Sequence, residues 1–204
     1  LGTNWLRLHR FFQTNNLCNP RKSVPNLCFK KEKTSVFEKS PFHPNIPTID
    51  DLFANIPPRP TKAYRVLHSA DWHLGKPLGD LSRESEHAEF LTFLLKSIEE
   101  HQIDCLIVAG DIFDSAHPPQ SAVRQYFNFI SALNRLGTTM VVIAGNHDSP
   151  AHLEAPREVL SALDVHVVGN LPEKISETLV PLPSAENPQV LIAAIPFLRD
   201  RDLR

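Results

Sequence analysis

A short apolar segment that stops at a glycine and a carboxylate constrains the fold of this chain most strongly. Residues 103–109 are rich in β-branched and other apolar side chains, and the run is too short for a typical helix. This composition predicts a strand covered on both faces, as in a parallel sheet. Gly110 permits a turn, and Asp111 then lies at the carboxyl end of the strand. Because ligands bind beyond that edge in open α/β sheets, the segment predicts a functional carboxylate.

Two further apolar segments end at polar residues in the same way. Residues 64–70 lead into Asp71, and residues 139–144 lead into Asn146. Asp71 and Asp111 are 40 positions apart, and Asp111 and Asn146 are 35 apart, which suits strand–helix–strand units of about 30 or more residues. The sequence therefore predicts three parallel strands that present their polar residues on one edge of a sheet.

The segments between and after these strands have helical or strand patterns. Helices are predicted from about residue 83, after residue 119, and over residues 153–163. The predicted buried face of the second helix consists of Val123, Tyr126, Phe127, Ile130 and Leu133. Further strands are predicted at 165–169, 179–182 and 190–195, and the last two are expected to be antiparallel because no helix of useful length separates them.

Residues 1–62 differ in composition from the rest of the chain. They hold eight of the 18 prolines, and their ten lysines and arginines outnumber four acidic residues, whereas residues 63–204 carry a net charge of −8. This composition predicts a mostly disordered, basic leader over residues 1–62, with a short helix over residues 5–12, followed by one domain over residues 63–204. An organelle transit peptide is an alternative interpretation of the leader; a simple extension is preferred, since the only methionine is Met140.

The overall composition favours a soluble, cytoplasmic protein. The chain is 42% hydrophobic and 22% charged, and no apolar run approaches the roughly 20 residues that a membrane-spanning helix needs. Three cysteines do not indicate a disulfide framework, and Cys105 is expected to be a buried apolar residue in a strand. The charge of residues 63–204 is not that of a strong nonspecific DNA binder, although bound cations would reverse its local sign.

The polar residues at the predicted sheet edge suit a metal site. Asp71, His73, Asp111 and Asn146 supply carboxylate, imidazole and amide groups, which favour Mn²⁺, Mg²⁺, Fe or Zn²⁺. A carboxylate on the middle strand can bridge two ions about 3.5–4 Å apart, as in two-metal phosphoester hydrolysis. Asp or Asn after a glycine is commonly only a turn residue, but three strand ends that each carry metal-competent side chains together favour a metal centre.

Neighbouring residues have predicted supporting roles. His147 follows the predicted amide ligand and is placed to hydrogen-bond a phosphate oxygen or to protonate a leaving oxygen. Asp114 and Asp148 are expected to orient histidines and backbone donors around the metals. His117 is a candidate for contact with the substrate.

Three motifs resemble those of the calcineurin-like metallophosphoesterases: Asp71-x-His73, Gly110-Asp-x-x-Asp114 and Gly145-Asn-His-Asp148. Residues 66–75, 83–87, 107–114 and 195–199 narrow the resemblance to the SbcD family, the nuclease subunits of bacterial SbcCD exonucleases. The resemblance implies an α/β fold, namely the amino-terminal half of a four-layer αββα metallophosphoesterase sandwich.

The resemblance also implies an activity and partners. Asp71 and His73 would hold a first metal, Asp111 would bridge, and Asn146 would hold a second, with two Mn²⁺ ions favoured over Mg²⁺ or Fe; His147 would act on the phosphate. The implied reaction is hydrolysis of DNA phosphodiesters at double-strand ends and hairpins in recombination and repair. An SbcC-like SMC-type ATPase would be the partner, and the nuclease subunit would form a homodimer in the full complex.

One departure from the family qualifies this expectation. The family has further metal histidines, in a Gly-His and a Gly-His-x-His step downstream of Pro-Phe-Leu-Arg, and this chain reaches Arg204 without either. The sequence therefore predicts a fragment that is incomplete at its carboxyl end, with half of the ligand set and little activity. Two alternatives are another metallophosphoesterase, acting on small phosphodiesters or phosphoproteins, and a noncatalytic binding scaffold.

Overall fold

The structure, a computed structural model, describes residues 63–203. The predictions for residues 1–62, including the disordered leader, the short helix at 5–12 and the alternative of a transit peptide, lie outside these residues.

A parallel four-stranded sheet forms the centre of the fold. Its strands are β1 (Val66–Ser69), β2 (Cys105–Ala109), β3 (Thr139–Ile143) and β4 (Val165–Val168), arranged in the order β1-β2-β3-β4 with every neighbouring pair parallel. Ser69 pairs with Val108, and Ala109 pairs with Ile143, so the carboxyl ends of the first three strands are nearly level. The predicted parallel strands are confirmed, and their ends form one edge, called here the carboxyl edge.

Two long helices connect the first three strands and cover one face of the sheet. They are α1 (Glu84–Glu100) and α2 (Gln120–Arg135). The prediction that Phe127 belongs to the buried face of α2 is wrong, because its side chain is 40% exposed, whereas Phe129 is 2% exposed. Tyr126, Phe129, Ile130 and Leu133 follow the i, i+3, i+4, i+7 spacing of one helical face, and Phe127 lies about 100° away from Tyr126.

The predicted helix over 153–163 is two short helices instead. They are α3 (Pro150–Glu154) and α4 (Arg157–Ser161). Pro156 separates them, because its ring removes a backbone donor and clashes with the preceding turn. Among residues 63–203, none of the helices has the length and apolar character needed to cross a membrane.

A small second sheet covers the other face of the parallel sheet. Strands β5 (Leu179–Leu182) and β6 (Val190–Ala193) are antiparallel, as predicted, although β6 ends two residues earlier than expected. Val180 and Leu182 pack with Cys105 and Val141 in a core separate from the one under the helices. Burial raises the pKa of the Cys105 thiol to about 12, so this side chain is a neutral core residue. The layers thus follow one another as helices, parallel sheet and second sheet. This order confirms the predicted half of an αββα sandwich.

The buried His87 of α1 makes the stability of this fold sensitive to pH. Its side chain is 1% exposed, and burial, with a smaller effect from Arg83, lowers the pKa of the imidazole. In the unfolded chain a histidine has a pKa of about 6.5, so below that pH the unfolded state binds more protons than the folded state. As far as His87 determines it, the free energy of unfolding is therefore expected to be constant above about pH 6.5. Below that pH it is expected to fall by up to about 1.4 kcal/mol per pH unit.

Urea denaturation followed by circular dichroism, between about pH 7 and pH 5.5, measures this slope. His87→Gln is expected to flatten it, whatever its effect on stability at neutral pH. His117→Gln, which removes an exposed histidine, is the matched control. A slope in His87→Gln equal to that of the wild type would show that another group causes the pH dependence.

Candidate metal centre

The loops that follow β1 and β2 run side by side at the carboxyl edge. The backbone N–H of Asp71 donates to the carbonyl oxygen of Gly110 over 3.1 Å, and that of His73 donates to the carbonyl oxygen of Asp111 over 2.9 Å. One residue further on, Leu74 donates to Ile112 over 2.9 Å. These bonds continue the parallel pairing beyond the strands and place the first two predicted metal motifs next to each other.

Three site residues have an uncommon backbone conformation. The φ angles of Asp71, His73 and Asp111 are 56°, 45° and 52°, in the left-handed region. Asp and His enter this region more readily than most residues, but the conformation still costs free energy. Such strain persists only where the surroundings hold it, and it is concentrated at functional sites. Here the hydrogen bonds between the two loops hold it.

Trp72 anchors the first loop in the core. Its side chain is 1% exposed, and its Nε1–H donates to the Ser69 hydroxyl over 2.8 Å. The ring packs edge-on against Phe129 and Phe90, with centroids 5.2 and 6.0 Å away. Burial of a large aromatic side chain is worth several kcal/mol, so the residues on either side of Trp72 are held firmly.

Three side chains meet at the carboxyl edge and form what is called here the His–Asp–His cluster: His73, Asp111 and His147. One possible ligand atom from each lies within 4.8 Å of the others. Asp111 is 7% exposed; its Oδ1 accepts the backbone N–H of His147 over 3.0 Å, and its Oδ2 lies 3.8 Å from Nε2 of His73. The two imidazole rings are 4.9 Å apart between centroids and nearly perpendicular. A buried carboxylate with two imidazoles is a donor set that fits a divalent metal ion.

Gly145 allows the loops after β2 and β3 to approach closely. A Cβ atom on Gly145 would lie 2.1 Å from Oδ1 and 2.3 Å from the backbone nitrogen of Asp111. Gly145→Ala is therefore expected to lower the free energy of unfolding by roughly 1–3 kcal/mol and to displace the Asp111 carboxylate. Urea denaturation measures the first effect, and calorimetric titration with Mn²⁺ measures the second.

Gly137→Ala is the matched control for this substitution. A Cβ atom there would meet nothing within 4 Å, so only its positive φ of 69° opposes alanine. This control should lose some stability and keep metal affinity. Equal metal affinity in Gly145→Ala and the wild type would contradict the steric argument.

Asp114 contacts both histidines of the cluster. Its Oδ1 lies 3.3 Å from Nδ1 of His73 and 3.0 Å from Nζ of Lys76, and its carbonyl oxygen lies 2.9 Å from Nδ1 of His147. When Nδ1 of His147 donates to that carbonyl, Nε2 keeps its lone pair for a metal or a proton. These are the contacts that an orienting residue makes, and the role itself stays a prediction.

The Asp148 side chain connects the loop after β2 to the loop after β3. Its side chain is 2% exposed and accepts three backbone N–H groups, those of Gly145, Ile112 and Phe113, over 2.9, 3.2 and 3.0 Å. Burial raises the pKa of this carboxyl, and the three N–H groups partly oppose that shift. Asp148 thus connects the backbones on both sides of the Asp111 carboxylate.

The remaining predicted site residues lie outside the cluster. Asp71 is half-buried at the start of the first loop, and among the described residues it is not part of the group with ligand atoms within 4.8 Å. Asn146 is exposed in the turn before His147, and His117 is exposed in the segment before α2. Their roles as ligands or substrate contacts stay predictions.

Sequence reasoning did not identify two features of the site. It gave His147 a role on the phosphate only, whereas the structure brings this side chain among the ligand atoms. It also did not identify Lys76, whose ammonium group pairs with the Asp114 carboxylate. These two residues lie 38 positions apart in the sequence, in different loops. The only signal for Lys76 was its place in the loop after His73.

Comparisons with known proteins show which family the chain resembles. The model of the calcineurin-like phosphoesterase family matches residues 64–193, which include the whole cluster. The chain is 42% identical over 143 residues to the SbcD component of the nuclease SbcCD from Escherichia coli strain K12, covering 68% of this chain and 34% of that protein. It is 39% identical over 147 residues to the corresponding protein of Rhodobacter capsulatus, covering 68% and 36%, and 43% identical over 106 residues to that of Bacillus subtilis, covering 52% and 27%.

The chain thus spans about a third of the length of these curated relatives. The family model, in contrast, covers well over half of the chain and all three strands that carry the cluster. The chain therefore belongs to the calcineurin-like phosphoesterase family.

Proposed function

We propose that this chain is the metal-binding part of an SbcD-like DNA nuclease, which hydrolyses phosphodiesters at double-strand ends and hairpins. The observation that carries the proposal is the His–Asp–His cluster, with ligand atoms within 4.8 Å at the ends of adjacent parallel strands. The relatives, which are named as components of the nuclease SbcCD, support a nucleic acid as the substrate.

The proposed ligands are Asp71, His73, Asp111 and Asn146. Two divalent ions, with Mn²⁺ favoured over Mg²⁺ or Fe, would activate water and neutralise charge on the phosphate. Asp111 lies between the two neighbouring loops, with one oxygen toward His73 and the other bonded to the backbone of His147, which suits a bridging ligand. The donor types in this set are those that hard to borderline cations prefer.

His147 is the proposed group that acts on the phosphate. Its Nδ1 is 2.9 Å from the Asp114 carbonyl oxygen, which fixes the orientation of the ring. The exposed position of His147 leaves Nε2 accessible to hydrogen-bond a phosphate oxygen or to protonate a leaving oxygen. Asp148 and Asp114 would hold the backbone and the ring in place, and His117 would contact the substrate.

The whole protein would contain two parts and would act together with partners. Residues 1–62 would be a leader, and residues 63–204 would belong to the phosphoesterase domain of a cytoplasmic protein. The nuclease would work as a homodimer with an SbcC-like SMC-type ATPase. Because residues 63–204 contain neither a Gly-His nor a Gly-His-x-His step, we also propose that they hydrolyse DNA poorly by themselves.

The test is a manganese-dependent nuclease assay with the protein expressed from its complete reading frame. Cleavage of hairpin DNA that is much faster than hydrolysis of bis(p-nitrophenyl) phosphate would support the proposal. Preference for the small diester, or for a phosphopeptide, would indicate another kind of metallophosphoesterase. Manganese binding without hydrolysis of any of these substrates would indicate a binding scaffold.

A further inference from the structure

A cavity of about 190 Å³ lies beside the His–Asp–His cluster, at the ends of β3 and β4. It is called here the β3–β4 cavity, and its lining includes Gly145, Asn170, Phe197 and Arg199. Gly145 is also the residue that packs against the Asp111 carboxylate. The cavity and the cluster therefore share a wall, and a strand of DNA bound at one would reach the other.

The walls of the cavity are fixed by hydrogen bonds. The N–H of Phe197 donates to the carbonyl oxygen of Ala144 over 2.9 Å, which places the segment after β6 beside the end of β3. On the opposite side, the Glu154 carboxylate accepts the N–H groups of Gly169 and Asn170 over 2.9 and 3.1 Å. It also accepts the side-chain amide of Asn170 over 3.0 Å. These contacts hold the lining in one arrangement before any ligand arrives.

The lining combines an aromatic face with a cationic group. The side chain of Phe197 is 51% exposed, and Arg199 is exposed two residues later. The lining also contains Asp202, whose Oδ2 already accepts the backbone N–H of Arg199 over 2.8 Å. An aromatic ring on which a base can stack, next to a guanidinium that can pair with a phosphate, is the chemistry that recognises a single-stranded nucleotide.

We propose that the β3–β4 cavity binds one nucleotide of a DNA strand, with its base on the Phe197 ring and its phosphate on the Arg199 guanidinium. This inference rests on the proposed function, since it assigns a subsite for the same substrate. The nucleotide would flank the phosphate held at the His–Asp–His cluster, because Gly145 separates the two sites. The cavity would thus hold the strand in position without contacting the reacting atoms.

The test measures binding of two short DNA strands to this chain by fluorescence anisotropy, at low salt and in EDTA. One strand is fluorescein-labelled oligothymidylate, and the other has the same length and abasic sugars in place of its central nucleosides. The variants are Phe197→Leu, which keeps an apolar side chain but removes the ring, and Arg199→Gln. Phe127→Leu and Arg135→Gln, on the exposed side of α2, are the matched controls.

Phe197→Leu is expected to weaken binding of oligothymidylate roughly five- to a hundredfold and to leave binding of the abasic strand unchanged. Arg199→Gln should weaken binding of both strands, since both contain phosphates. The control variants should bind like the wild type. Unchanged thermal melting by circular dichroism would show that the two cavity variants remain folded, as the exposure of both side chains predicts.

Two results would overturn the inference. In the first, Phe197→Leu binds oligothymidylate as tightly as the wild type, which would mean that no base stacks on this ring. In the second, the wild-type chain binds neither strand although calorimetry shows that it binds Mn²⁺, which would leave the metal site intact and the cavity without a nucleotide. Failure to bind Mn²⁺ would instead contradict the proposed function itself.

Discussion

Asp111→Asn is expected to weaken binding of Mn²⁺ by at least about a hundredfold, more than the loss usually seen on changing a residue that only supports a ligand. The reason is that the buried Asp111 carboxylate is the only acid in the His–Asp–His cluster. Asparagine has nearly the same shape but no negative charge, so the cluster would lose its one anionic group and hold a cation less tightly. Isothermal titration calorimetry at neutral pH measures the change.

The choice of asparagine separates metal binding from folding. Its side-chain oxygen can still accept the N–H of His147, which Oδ1 of Asp111 accepts over 3.0 Å. The melting temperature of the metal-free variant should therefore stay close to that of the wild type. Asp80→Asn, which changes an exposed acid in the loop after β1, is the matched control and should bind Mn²⁺ normally. Wild-type affinity in Asp111→Asn would show that the cluster is not a metal site.

The positions of the strands could be predicted from the sequence because each strand is a local apolar run. Residues on β2 alternate between the two cores, with Leu106 and Val108 under the helices and Cys105 and Ile107 under the second sheet. A run that is apolar on both faces can be recognised as a buried strand from its own residues, without knowledge of the strands beside it. The carboxyl edge followed from the spacing of the three runs, because parallel strands separated by helices end on the same side.

Details that depend on packing were less accessible. The helical period was correct for α2, but its phase could not distinguish Phe127 from Phe129, since both flank the same apolar stripe. Pro156 was a local signal for a break in the helix over 153–163. The pattern of apolar residues nevertheless predicted one continuous helix. In both cases the hydrophobic pattern gave the element, and a single side chain decided its boundary or its face.

At the site, residue types were predictable and their contacts were not. Carboxylates and histidines just beyond the strand ends predicted metal chemistry, because few side chains can serve as ligands. The proximity of Asp111 to the backbone of His147 spans 36 residues, and it depends on the absence of a Cβ at Gly145. The β3–β4 cavity likewise combines residues from the ends of β3 and β4 and the segment after β6, and no pattern in the sequence brings these together.

Asp148→Ala is expected to lower the free energy of unfolding by roughly 3–5 kcal/mol, because it leaves two buried N–H donors and one part-buried N–H donor without an acceptor, and each buried donor costs about 1–3 kcal/mol. The donors are those of Gly145, Ile112 and Phe113, and all three bonds are at most 3.2 Å long. This loss is large against the roughly 5–15 kcal/mol that stabilises a typical domain. Urea denaturation followed by circular dichroism measures it.

Glu154→Ala is the matched control, because the Glu154 carboxylate also accepts three hydrogen bonds, from Gly169 and Asn170. Glu154 is only half-buried, so water can replace it, and the expected loss is about 1 kcal/mol. Asp148→Asn should fall between the two, since its single oxygen can still accept the N–H groups of Gly145 and Ile112. If Asp148→Ala and Glu154→Ala were equally stable, burial would not be what makes Asp148 important. If the order holds, burial of the Asp148 carboxylate is what makes its three hydrogen bonds worth more to the fold than the three that Glu154 accepts.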